Sequence, residues 1–150
     1  MVKLLKFLIK VAPFLYMALV WIMSSMPADA VVRFSVADSL IKESLHLVEF
    51  AILYLLFVGF LLSEGKLTLK TNLLVAVISM MYGVVDEIHQ YFVPYRSATV
   101  IDVIKDVTGV LVCYWIVYRS YFVKKNSLGF FMQKVEGWLT SSYQKINKLS

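Results

Sequence analysis

The stretch from Leu45 to Leu62, LHLVEFAILYLLFVGFLL, decides the fold. It is interrupted only by His46 and Glu49 near its beginning, and about 20 residues of this kind form a helix that crosses the hydrocarbon core of a bilayer. Three further runs flank it. Upstream, Val11 to Met23 follows Lys3, Lys6 and Lys10 and ends at Ser24-Ser25-Met26-Pro27. Pro13 lies near the start of that run, where a proline is tolerated or kinks the helix. Downstream, Leu73 to Val85 is short alone but is extended by Ile88, Tyr91 and Phe92. The last run begins near Ser97, holds Asp102, Lys105 and Asp106 in its first turns, and is uncharged from Val107 to Tyr118. The expected fold is an all-α integral membrane protein, a four-transmembrane-helix bundle. The spans run over about 7–25, 43–63, 71–91 and 98–122, inside a transmembrane domain covering about 1–123.

Composition agrees. Apolar residues make up 60% of the 150 and charged residues 17%, with a mean hydropathy of +0.75, against roughly 25% charged in a soluble domain. These proportions exclude a disordered tail, a disulfide scaffold and an ordinary soluble enzyme. The lone Cys113 lies inside an apolar run and cannot form an intrachain disulfide. The net charge of +5 does not point to nucleic acid, because the basic residues sit between and after apolar runs and form no exposed stripe.

Their placement orients the chain. With four spans, one side holds Lys3, Lys6, Lys10, Lys66, Lys70, Arg119, Lys124, Lys125, Lys134, Lys145 and Lys148, and the other only Arg33, Lys42, Arg96 and Lys105. Basic loops stay inside, so both termini are expected in the cytoplasm of a plasma-membrane protein. A rival pattern exists in the N-terminal lysines, the apolar run and Ala28-Asp29-Ala30, which resemble a cleavable signal peptide. Cleavage would leave three helices and strand the basic tail on the wrong face. In the tail, 124–150, residues Leu128, Phe131, Met132, Val135, Leu139, Ile146 and Leu149 repeat with a helical period, with Trp138 at the border and Lys134, Lys145 and Lys148 on other faces. This predicts a basic amphipathic helix on the anionic inner leaflet.

Spans and orientation together bring the polar residues to one depth. Ser24 and Ser25 end the first span outside, and His46 and Glu49 open the second from outside. Asp86, Glu87, His89 and Gln90 end the third, Arg96 follows, and Asp102 and Asp106 open the fourth. His46 and Glu49 share a helix face, as do Asp102 and Asp106, whose stripe continues through Gly109 and Cys113. Asp86 and Glu87 diverge by about 100°, so one of the two is expected to point inward alongside Gln90. Ionisable groups at this depth are costly unless they find partners, and Arg96 is the expected partner of the carboxylates.

These residues resemble a known family. Trp21 with Ser24-Ser25-x-Pro27, His46-x-x-Glu49-Phe50, Asp86-Glu87-Ile88-His89-Gln90-x-Phe92-Val93-Pro94-x-Arg96-Ser97 and Asp102-Val103-x-x-Asp106-x-x-Gly109 are similar to the VanZ-like membrane proteins. Met26 stands where the family usually has glutamine, and Tyr95 where glycine usually separates proline from arginine. The resemblance implies a small multi-span protein of the bacterial envelope, in a family whose founding member is associated with resistance to teicoplanin, a lipid-tailed glycopeptide.

Two functional classes follow. In the first, an outward polar pocket of Ser24, Ser25, Gln90, Arg96 and Asp102 binds an envelope lipid, a lipid-linked wall precursor, a glycopeptide-related ligand or a partner protein. In the second, a membrane-embedded hydrolase or transferase acts on a lipid-linked outer-leaflet substrate. There Glu87 is the general base, with His89 and Arg96 as further catalytic groups. A divalent metal would sit on His46, Glu49, Asp86, His89 and Asp106. A third, purely structural reading has the polar groups satisfying one another between helices.

Overall fold

A computed structural model describes the backbone of residues 2–26, 37–94, 96, 98–124 and 126–147, and the side chains of these except 37–46 and 143–147. The described residues are helical almost throughout. Helix α1 spans Val2–Ser24 and α2 spans Ala37–Glu64. Helix α3 spans Leu69–Tyr91 and α4 spans Val100–Val117. A π-helical segment, Tyr118–Lys124, continues α4, and α5 spans Ser127–Asn147.

The turns follow from local chemistry. Gly65 stops α2 at a φ of 64°, a left-handed conformation that a side chain would strain. From there its N–H donates to the Leu62 carbonyl and that of Lys66 to the Leu61 carbonyl, the paired bonds that close a helix C-terminus. Thr68 then caps α3 in a reciprocal box with Thr71, satisfying backbone donors that the first turn leaves open. Thr99 caps α4 by accepting from the Asp102 N–H. Asn126 Oδ1 accepts from the Gly129 N–H at the start of α5.

Helices α1 to α4 alternate in direction. Lys6 and Lys10 near the start of α1 pair with Glu64 at the end of α2 at 3.3 and 2.8 Å. Ser25, just past the end of α1, meets His89 near the end of α3. Helix α2 is the hub: it packs most extensively on α4 and also on α1, α3 and α5. Phe50, Leu53, Tyr54, Phe57 and Val58 of α2 form the centre of the core with Val20, Ala76 and Val110. The outside is apolar, with Leu15, Leu74 and Met81 more than half exposed, whereas Asn72, Ser79, Asp86 and Asp106 are buried. A soluble protein reverses that arrangement; a bilayer accommodates it.

Among the described residues, three segments are long and apolar enough to cross a membrane: Val2–Ser24, Leu47–Glu64 and Leu69–Tyr91. Helix α4, at the place of the fourth expected span, is not one of these three. Asp102, Lys105 and Asp106 in its first turns set it apart from the other three.

Candidate functional site: a buried polar end of the bundle

The end of the bundle opposite Lys6, Lys10 and Glu64 gathers five of the seven carboxylates whose side chains are described: Glu49, Asp86, Glu87, Asp102 and Asp106. On α3, Tyr82, Asp86 and Gln90 recur every fourth residue and share one face. The Tyr82 hydroxyl donates to the Met17 carbonyl of α1 at 2.6 Å. Gln90 Nε2 donates to Asp86 Oδ2 at 2.6 Å. Asp86 is only 1% exposed, and its Oδ1 has no hydrogen-bond partner among the described residues.

Arg96 lies within electrostatic reach of Glu49 and Glu87, the expected partnership with carboxylates, but its hydrogen bonds go to carbonyl oxygens. Its Nε donates to the Met26 carbonyl, its Nη2 to the Met23 carbonyl and its Nη1 to Gln90 Oε1, at 3.1, 2.6 and 3.1 Å. The fork therefore caps the carbonyl end of α1, where orphan acceptors and the negative helix pole favour a cation. Through Gln90 it is linked to Asp86, in a relay Arg96–Gln90–Asp86, and Glu49 and Glu87 lie within reach of its charge. A planar donor fork can serve several acceptors at once, which explains why the carbonyls prevail over one ion pair.

His89 sits at the same end of α1. Its ring stacks on Trp21 with centroids 3.9 Å apart, and its Nε2 lies 2.9 Å from Ser25 Oγ. Ser25 Oγ also donates to the Trp21 carbonyl at 2.7 Å. A hydroxyl has one proton, so Nε2 must be the donor in the contact with Ser25. That bookkeeping makes Nε2 a poor metal ligand and leaves Nδ1 as the ring's acceptor when the imidazole is neutral. Ser24 Oγ donates to the Trp21 carbonyl as well. Both serines thus serve the helix end.

The expectation that one of Asp86 and Glu87 faces inward is overturned, because both are buried. Asp86 lies within electrostatic reach of Glu49 on α2 and Asp106 on α4. Glu87, about 100° round the helix, is covered by the start of α4, within electrostatic reach of Asp102, Asp86 and Arg96. Two consecutive residues about 100° apart are both buried when neighbouring elements cover a wide arc of their helix. Glu49 on α2, half-buried, lies within reach of Asp86, Glu87 and Arg96. Asp106 on α4 is fully buried, within reach of Glu87, Glu49, Asp86 and Asp102. Its side chain lies against Gly83, whose missing Cβ would stand 3.2 Å from Asp106 Cβ. Asp102 is taken up locally, accepting from Thr99 Oγ1 at 2.7 Å and pairing with Lys105 at 3.1 Å.

With this geometry in view, the family model VanZ/LLP1 matches residues 8–124. The chain belongs to the VanZ/LLP1 family. No curated protein and no solved structure matches it. The match takes in all four bundle helices and the π-helical segment of this VanZ/LLP1 protein and stops before α5. With the apolar helices, it makes the chain a multi-pass membrane protein of the VanZ type.

Of the residues singled out from the VanZ/LLP1 sequence, Ser25, His89, Gln90, Arg96, Asp86, Glu87, Glu49 and Asp106 converge on one end. The His46 side chain, Pro27 and Ser97 lie outside the described residues. Among the described residues, no three of His, Cys, Asp and Glu form a group able to hold a metal ion. Sequence reasoning missed Tyr82 as a tie to α1. The signal was present, since Tyr82 precedes Asp86 by one turn on the same face.

Proposed function

We propose that this VanZ/LLP1 protein is a four-span protein of the bacterial plasma membrane with both termini cytoplasmic, and that its outward end is a binding pocket. The pocket would take an envelope lipid, a lipid-linked wall precursor or a partner protein, and through it the protein would contribute to glycopeptide (teicoplanin) resistance. The observation that carries this reading is the buried set Asp86, Glu87, Gln90 and Asp106 at the end of the bundle away from the lysines. Burying carboxylates at membrane depth costs several kcal/mol unless they are compensated, so a bundle needing only stability would fill these positions with apolar side chains. The relay from Arg96 through Gln90 to Asp86 holds the pocket wall to α1 and makes Arg96 a positioning group.

The test is glycopeptide susceptibility of cells producing the protein, with membrane abundance measured alongside. Gln90→Leu and Glu87→Gln at normal abundance should each abolish any protection; full protection by both variants would overturn the reading. Asp86 Oδ1, buried and without a hydrogen-bond partner among the described residues, supports a second reading in which a divalent cation helps to fill the pocket of a membrane-embedded hydrolase or transferase. Its check is the metal content of the purified protein against a folded His46→Ala, His89→Ala double variant.

A further inference from the structure

Helix α5, beyond the family match, presents two distinct faces. One packs on the bundle. Met132 and Leu139 are buried, and Val135 and Leu139 line an apolar cleft with Ile9 and Ala12 of α1 and Leu62 of α2. Glu136 on the same side accepts a hydrogen bond from Tyr121 of the π-helical segment. A second stripe, roughly 100–120° round the helix at 100° per residue, holds Phe131 and Trp138 two turns apart with Lys134 between them. Phe131 is 62% and Trp138 50% exposed, and neighbouring Phe130 is 68% exposed.

Two observations bear on the chemistry that fits this second stripe. The first is its level. A Cβ on Gly65 would stand 3.2 Å from Thr140 and 3.8 Å from Glu136, so α5 lies beside the turn that carries Lys66 and Lys70. At the far end of α4, Arg119 lies 5.4 Å from the ring centre of the exposed Trp115. Exposed tryptophan paired with a cation marks the headgroup level of a bilayer. The second is charge. From Arg119 to the end, the chain has six basic residues and one carboxylate, Glu136, which is turned inward onto Tyr121. The outward stripe therefore carries aromatic rings and positive charge and no carboxylate among the described residues.

We infer that this stripe of α5 docks onto the anionic phospholipid layer at the lysine-rich end of the bundle. Phe131 and Trp138 enter the boundary between headgroups and acyl chains, and Lys134 and Lys124 hold the headgroup phosphates. Two separate faces, one on protein and one on lipid, hold α5 flat against the membrane surface. The inference does not depend on the pocket reading.

The test uses full-length protein with Trp138 as its only tryptophan (Trp21→Phe, Trp115→Phe), in nanodiscs of brominated phosphatidylcholine with and without phosphatidylglycerol. Trp138 emission should be blue-shifted and quenched by bromine, more strongly with phosphatidylglycerol. Lys134→Glu should lower the docked-to-free ratio at least about fivefold, the equivalent of the ~1 kcal/mol a lysine gains at an anionic surface. Water-like emission, or quenching indifferent to phosphatidylglycerol, would overturn the inference. If the tryptophan variants fail to fold, native mass spectrometry of wild type and Lys124→Glu, Lys134→Glu protein decides. Preferential retention of phosphatidylglycerol by wild type supports docking, and equal retention overturns it.

Discussion

Gly109 of α4 touches the backbone of Leu47 in α2: a Cβ at position 109 would stand 2.0 Å from the Leu47 carbonyl oxygen. Small residues let membrane helices approach to backbone contact, and this approach brings Asp106, one turn earlier, into the space shared with Glu49 and Glu87. Gly109→Ala must push α2 and α4 apart. We expect a loss of about 3 kcal/mol, the upper end for overpacking, read as a lowered Tm in detergent. Gly137→Ala is the control. Nothing lies within 4 Å of its Cβ position, so helix propensity alone should raise stability by up to ~1 kcal/mol.

Arg96 and the Met23 carbonyl, 2.6 Å apart at Nη2, predict that Arg96→Lys is not conservative. One ammonium cannot reproduce three bonds spread over Met23, Met26 and Gln90. Hydrogen exchange across residues 21–26 should quicken, and stability should fall by about 1–3 kcal/mol. Unchanged exchange would show that α1 holds its end without the guanidinium.

The proton count at Ser25 predicts that neutral His89 is the Nε2–H tautomer. Nitrogen-15 NMR of histidine-labelled protein should find a protonated Nε2 and an unprotonated Nδ1, and Ser25→Ala should perturb the Nε2 resonance. A protonated Nδ1 with a bare Nε2 would refute the assignment and restore Nε2 as a ligand.

Tyr54 donates to Asn72 Oδ1 in the first turn of α3 at 2.7 Å, and both residues are fully buried. Tyr54→Phe strands the Asn72 amide and should cost about 1–2 kcal/mol. The double variant Tyr54→Phe, Asn72→Leu should recover much of that loss, because removing both partners leaves nothing unsatisfied. Additive losses would disprove the coupling.

Glu64 serves both Lys6 and Lys10, but the Lys6 side chain is 6% exposed and that of Lys10 35%. Glu64→Gln leaves Lys6 buried without this counter-charge, whereas Lys10→Met leaves that pair intact. The first should lower Tm clearly more than the second, since breaking a buried pair costs more than losing a solvated one.

Much of this architecture is written in local sequence. Hydropathy places the helices because every backbone group in a bilayer must be satisfied within its own helix. Gly65, Thr68 and Thr99 mark the ends because caps act over a few residues. The clustering of His89, Gln90, Asp86, Glu87, Glu49 and Asp106 at one end is legible too, since alternating spans return the same end every second crossing. Partners were not legible. Whether Arg96 meets a carboxylate or a carbonyl, whether both Asp86 and Glu87 are buried, and which stripe of α5 faces protein depend on how each helix is rotated about its axis. Packing between helices sets that rotation, through contacts such as Gly109 on Leu47 and Asp106 on Gly83 that join residues far apart in the chain. Sequence alone therefore determined the all-helical membrane class, the helices and the polar end. Tertiary packing decided the pairs, because helix rotation is settled by the neighbours and not by the helix itself.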